Sequence, residues 1–100
     1  RTAPVYRLHA LPGGPPFRPG LVRVETGGAA VALEVWALPD QAVGSFLAGV
    51  PAPLAIGTLA LEDGTAVKGF LCEAAGLSGA ADVTHHGGWR AFLATRGDAA

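Results

Sequence analysis

One cysteine, one lysine and only fifteen charged residues in a hundred leave this sequence short of several kinds of chemistry. A lone cysteine, Cys72, excludes an internal disulfide and fits a reducing compartment, so the expected location is the cytoplasm and the expected state a buried, inert thiol. Seven basic and eight acidic side chains give a net charge of −1 with no run of one sign. Neither nucleic acid nor an anionic membrane surface is therefore an expected partner. Gln41 to Leu61 carries no charge and matches a membrane span in length. Yet Gly44, Gly49, Pro51, Pro53 and Gly57 would break a spanning helix and free backbone groups that lipid cannot satisfy. A helix, a turn and a buried strand are expected there instead. No charged segment leads into an apolar run and a small-residue cleavage site, and a start at Arg1 rather than methionine reads as part of a longer protein.

Half of the residues are hydrophobic, which at this length supplies one core, so residues 1–100 are expected to form a single domain. In Val5 to Leu11, Tyr6, Leu8 and Ala10 alternate with Val5, Arg7 and His9 at the period of a half-buried strand. Pro12 to Gly20 packs four prolines and three glycines into nine residues, which sustains only a loop. Leu21 to Glu25 and Val31 to Ala37 read as strands of a hairpin reversed at Gly27 and Gly28. Pro39 and Asp40 start a helix in which the Asp40 carboxylate caps orphan amides. Val43, Phe46 and Leu47 face the sheet, and Gly49 is the stop. Ile56 to Glu62 and Ala66 to Glu73 flank Asp63-Gly64, a pair suited to the positive φ angles of a two-residue hairpin turn. A short helix or loop follows Glu73. Trp89 to Thr95 sets Trp89, Phe92 and Leu93 on one helical face, and the tail after Arg96 is expected to fray.

Few side chains invite catalysis. His85 and His86 stand beside Asp82, but neighbours in an extended segment point to opposite faces, so no metal site is expected. His9 sits on the strand face opposite Tyr6 and Leu8 and reads as a surface or edge side chain. Lys68, between Val67 and Gly69, is either a solvated strand charge or an ammonium held against a low-dielectric wall, where it would bind a small carboxylate. Glu34 and Glu73 fall in predicted strands, with Arg7, Arg23 and Lys68 as available cations, and structural pairing is expected. Arg18 to Leu21 closes the proline loop, and Gly20 either permits close backbone approach to a ligand or belongs to a stiff connector.

Four segments stand in an order that identifies relatives: YRLHALPGGPPFRPGLVR at Tyr6 to Arg23, EVWALP at Glu34 to Pro39, VPAPLAIGTLALEDGTAVKGFLCE at Val50 to Glu73 and GGWRAFLA at Gly87 to Ala94. Over nearly its full length the chain resembles the C-terminal domain of allophanate hydrolase. The resemblance implies an α+β fold similar to γ-glutamyl cyclotransferases: a small, mostly antiparallel sheet curled into a barrel, two or three short helices outside, and a cavity at one mouth. It implies an amidase-signature domain of the same enzyme as partner, which cleaves allophanate in urea degradation. The domain itself is then expected to assist decarboxylation of the N-carboxycarbamate so formed, a small carboxylate substrate, without hydrolysing allophanate. Two other roles are an assembly domain that builds a homo-oligomer and a free-standing metabolite binder. Lys68, Arg18, Gly20 and Pro51 are the substrate-binding residues implied, with no catalytic residue, metal or cofactor assigned. Cyclotransferases place a catalytic carboxylate after the equivalent of EVW, whereas here no Asp or Glu lies between Asp40 and Glu62, so γ-glutamyl cyclisation by that route is not expected. Family members also carry a first strand and loop with a histidine in a GAHLSG-like stretch, expected upstream of Arg1. The principal proton-transfer group would then lie outside these residues.

Overall fold

The alternation around Tyr6 becomes strand β1 (Tyr6–Ala10), the middle strand of a three-stranded antiparallel sheet. In this computed structural model, which describes residues 1–13 and 18–96, β1 pairs on one side with β2 (Pro19–Arg23). Leu8 stands opposite Leu21 and His9 opposite Gly20. On the other side β1 pairs with the two-residue β5 (Ala81–Asp82), placing His9 opposite Asp82. Pro19 and Gly20 thus begin a strand instead of ending the loop; proline is tolerated as a first strand residue because no ladder N–H is needed there. Of the predicted proline loop, residues 14–17 lie outside the described residues, as do residues 97–100 of the tail.

The second sheet is the hairpin β3 (Leu54–Ala60) and β4 (Ala66–Cys72), in register from Leu54 opposite Cys72 to Ala60 opposite Ala66. Its turn is longer than the two-residue reversal expected from Asp63-Gly64. The Leu61 N–H donates to the Thr65 carbonyl, and of the turn residues Gly64 alone has a positive φ, +89°. Asp63 has no positive φ; its carboxylate accepts hydrogen bonds from the Thr65 hydroxyl at 2.6 Å and the Thr65 N–H at 2.9 Å, which hold it below the ordinary range.

Between the sheets lies the core, Tyr6, Leu8, Val31, Leu59, Val83 and Phe92, with Val67, Leu71, Trp89 and Leu93 packed against it. Tyr6 is fully buried, and its hydroxyl accepts the Ala60 N–H at 2.8 Å, so one side chain ties the two sheets. Strands β2 and β4 run close together, although no ladder joins them among the described residues. Helix α2 (Trp89–Thr95) forms with the expected bounds and face, its Trp89 and Phe92 rings 5.1 Å apart. Burying Phe92 contributes about 1.5–3 kcal/mol. No helix among the described residues is long and apolar enough to cross a membrane.

Expectations for two segments, Val31 to Ala37 and the helix after Pro39, are corrected here. Val31 to Ala37 is not a strand. Gly27 does turn the chain at φ +74°, but the return path crosses the start of β1 instead of following β2: Ala29 bridges Tyr6, and the Val24 N–H bonds the Val5 carbonyl. Val31 drops into the core, Ala32 makes one parallel bridge to Gly88, and both edges of β1 are already taken. Beyond Ala32 the segment therefore finds no backbone partner among the described residues. Helix α1 (Val43–Ala48) follows a 3₁₀ turn at Asp40–Ala42 and stops at Gly49 as expected, but the Asp40 carboxylate caps no amide. Nor do its apolar residues lie down on the sheet: Val43, Phe46 and Leu47 keep 38%, 43% and 45% exposure, with the Phe46 ring 5.7 Å from that of Phe70. After Glu73 the expected short helix is the 3₁₀ turn Ala74–Leu77; the two-residue β5 and the 3₁₀ turn Thr84–His86 that follow are too short to show a periodicity.

Candidate functional site

Arg18, Gly20 and the turn begun by Pro51 gather around Cys72, while Lys68 stands apart. A methyl group on Gly20 would fall 3.2 Å from the Cys72 Sγ and 2.7 Å from Leu11, so the space at Gly20 is taken up by these two side chains. Pro53, two residues past the exposed Pro51, flanks Gly76 together with Cys72. Burial, then the nearby Glu73 carboxylate, push the Cys72 thiol up against the opposing charge of Arg18. Its thiol donates to the Glu73 carbonyl at 3.3 Å, which makes it a poor nucleophile as expected of a buried cysteine. Lys68 lies four residues earlier on the same face of β4, about 13 Å along the strand. Its exposed ammonium donates to the Thr58 hydroxyl at 2.6 Å across the hairpin.

The larger concavity, an open cleft of about 610 Å³, lies elsewhere, between Ala32–Glu34 and the start of α2. None of the four expected residues lines it. Its polar walls are Arg1, Glu34, His86 and Arg90, and Leu33 and Trp89 supply apolar surface. Two glycines build it. Gly87, at φ +84°, ends the Thr84–His86 turn, and Gly88 allows the chain to pass so close to Ala32 that a methyl group would sit 2.9 Å from its Cβ. Within the turn the rings of His85 and His86 lie 4.2 Å apart, and that of His86 meets Phe92 at 5.3 Å. The expectation that the two imidazoles point apart fails because the turn is 3₁₀ and not extended. No group of three metal-ligating side chains occurs among the described residues. Glu34 pairs with Arg90 at 2.6 Å, rather than with Arg7, Arg23 or Lys68. Sequence reading weighed His86 only as a metal ligand and missed Arg1 and Arg90; the Gly87-Gly88 pair beside them is the signal that marked the site. Two guanidinium groups and an imidazole in its lining suit a small carboxylate, since guanidinium forks match carboxylate oxygens.

A second polar network positions the turn that carries His86. Asp82 accepts from Arg7 Nε at 2.9 Å and from the Thr84 N–H at 2.9 Å, with His9 Nε2 at 3.8 Å. The Thr84 hydroxyl accepts the Leu8 N–H at 2.7 Å, fastening the turn that carries His86 to β1. Burial pushes the Asp82 carboxyl up, but hydrogen bonds from Arg7 and Thr84 outweigh it and hold the group well below the usual carboxylate range. Because the folded-state value is depressed, the stability it contributes is complete above about pH 4–5 and is lost as pH falls below that. Asp82 is 38% exposed, so solvent limits the contribution to about 1 kcal/mol. Thermal melts should show Asp82→Asn less stable by about 1 kcal/mol at pH 7, with the gap narrowing as pH falls below about 4; a gap unchanged between pH 5 and pH 2 would refute this account.

The family model for the allophanate hydrolase C-terminal domain matches residues 1–94. Urea amidolyase of Saccharomyces cerevisiae is 43% identical over 97 residues, which cover 93% of this chain and 5% of that protein. Among solved structures, the allophanate hydrolase of Kluyveromyces lactis superposes with a TM-score of 0.89 at 40% identity, covering 95% of this chain and 16% of that one. A protein specific to uropathogenic E. coli superposes with a TM-score of 0.85 at 37% identity, covering 94% of this chain and 72% of that one. The chain therefore spans about one twentieth of the yeast enzyme it resembles.

Proposed function

Since the chain belongs to the allophanate hydrolase C-terminal domain family, we propose that it serves urea degradation by promoting decarboxylation of the N-carboxycarbamate that an amidase domain of the same enzyme produces. The observation that carries this reading is the cleft lined by Arg1, His86 and Arg90. In the reaction one C–N bond breaks, carbon dioxide leaves, and the electron pair left on nitrogen takes a proton to give carbamate. The carboxylate that is retained keeps its charge, so cations belong there. The leaving carboxylate loses its charge and is best left against apolar surface, because holding it firmly would stabilise the ground state. Arg90 spends part of its five-donor fork on Glu34 and has donors left for the retained carboxylate, while His86 delivers the proton. Lys68, its ammonium keeping two donors beyond the Thr58 bond, is read as an outer place for carboxylate, and Arg18, Gly20 and Pro51 as a separate substrate contact on the Cys72 side of the hairpin. The two sheets, adjacent at β2 and β4, are read as parts of a γ-glutamyl cyclotransferase-like barrel. A cytoplasmic location fits the single reduced thiol.

The test generates N-carboxycarbamate in place from allophanate with a separate amidase and follows carbon dioxide by mass spectrometry and ammonia in parallel. Adding the domain should accelerate carbon dioxide release without changing the amidase step. His86→Ala should lower the domain-dependent rate on the order of 10²-fold, and Arg90→Ala should weaken saturation. Equal rates with and without the domain would sink the catalytic reading, and unchanged release in Lys68→Ala would remove the outer site.

A further inference from the structure

Ala32 and Gly88 form a parallel bridge, and the Ala32 N–H donates to the Gly87 carbonyl at 2.7 Å. Because the two segments run the same way, two further steps along each bring Glu34 beside Arg90. There the carboxylate meets the guanidinium Nη2 at 2.6 Å in the lining of the cleft. As a fastening the contact is weak: Glu34 is 42% exposed and Arg90 76%, and ion pairs so open to water add little stability. Its effect on the charge of the cleft is larger. Whatever the state of His86, the charged side chains of the lining are Arg1, Arg90 and Glu34. Glu34 cancels one arginine and leaves a single positive charge, which balances one carboxylate and not two.

We propose that Glu34 is the specificity-determining residue of this cleft, matching it to one carboxylate and leaving a second uncompensated, an assignment that rests on the decarboxylation reading. N-carboxycarbamate arrives with two negative charges. As the C–N bond breaks, the electron pair of that bond goes to nitrogen, the leaving carboxylate gives up its charge, and neutral carbon dioxide departs past Leu33 and Trp89. A fixed carboxylate nearby disfavours charge on the leaving group, which the ground state has in full and the transition state is losing. With a second uncancelled arginine the cleft would instead hold the dianion firmly, and tight binding of the ground state slows the step that follows. Removing the Glu34 charge should therefore lower KM and kcat together, a split that loss of an ordinary binding contact does not produce.

Malonate, with a methylene in place of the nitrogen, and malonamate, in which one carboxylate of malonate is an amide, are stable probes of one skeleton that differ by a single charge. Titration calorimetry in mildly alkaline, low-salt buffer should show the preference for malonate over malonamate rising about three- to tenfold in Glu34→Gln. The glutamine keeps an amide oxygen for Arg90, and position 34 is half-exposed, so melting should match the unmodified chain. In the carbon dioxide assay the same variant should show the joint fall of KM and kcat. An unchanged preference would overturn the assignment. So would a shift in Glu34→Ala without one in Glu34→Gln, which would make Glu34 a positioning residue for Arg90 and nothing more. A shifted preference with no domain-dependent carbon dioxide release would uphold the charge matching and remove the catalytic reading. Accelerated release with KM and kcat unmoved in Glu34→Gln would do the reverse, and malonate binding to neither form would overturn both.

Discussion

Tyr6→Ala is expected to cost about 3–5 kcal/mol, the range for emptying a fully buried aromatic site. Tyr6 has no exposed surface, sits at the centre of the core and touches three layers of the construction. Its backbone pairs with Arg23 in β2 and with Ala29 on the return path, and its hydroxyl accepts the Ala60 N–H of the hairpin. For a domain of this size each kcal/mol moves the melting temperature by roughly 4–8 °C, so the midpoint should fall by more than about 12 °C. Tyr6→Phe separates the two contributions. The ring stays, but the part-buried Ala60 N–H loses its acceptor, at about 1 kcal/mol. A melt of Tyr6→Phe that overlays the unmodified protein would show that the hydroxyl bond between the sheets is dispensable.

Gly28→Ala should destabilise nearly as much, by about 3 kcal/mol, at the upper end of ordinary overpacking. An added methyl would lie 2.5 Å from the Val5 Cα, 2.6 Å from its carbonyl carbon and 2.8 Å from the Pro4 oxygen. All three are main-chain atoms in or beside the first strand, so no rotamer change relieves the contact. Gly64→Ala provides the contrast. Nothing lies within 4 Å of a methyl there, and the cost is only that of holding φ near +89° without glycine, about 1 kcal/mol. Chemical denaturation of the two variants should therefore rank Gly28→Ala well below Gly64→Ala. The reverse order would mean that the chain crosses the first strand at a greater distance than described.

The same crossing explains why part of the fold was unreadable beforehand. Tyr6 to Ala10, the hairpin about Asp63-Gly64 and the helix at Trp89 were legible because their apolar residues keep a period of two or 3.6 over several turns. Val31 to Ala37 keeps a strand period equally well, yet alternation reports a capacity to pair and not the presence of a neighbour. Ala81–Asp82 is the opposite case. It has no pattern of its own and is a strand because Arg7, Thr84 and β1 hold it there. Candidate site residues divided along similar lines. Lys68 and the proline loop drew notice through residue type and resemblance, whereas the cleft is assembled from Arg1, Glu34, His86 and Arg90, which the topology alone brings together. Only the adjacent glycines at 87 and 88 hinted at it.

The tie between Arg7 and Asp82 spans 75 residues, and that between Leu8 and Thr84 spans 76. During synthesis the first strand must wait for residues 81–84 to leave the ribosome before its second edge can be filled. Closing so large a loop late, after local hairpins have formed, favours slow acquisition of the native state. A nascent chain arrested before Ala81 would therefore hold a tyrosine-centred half-core open to chaperones, and release past Thr84 would be the event that commits the molecule.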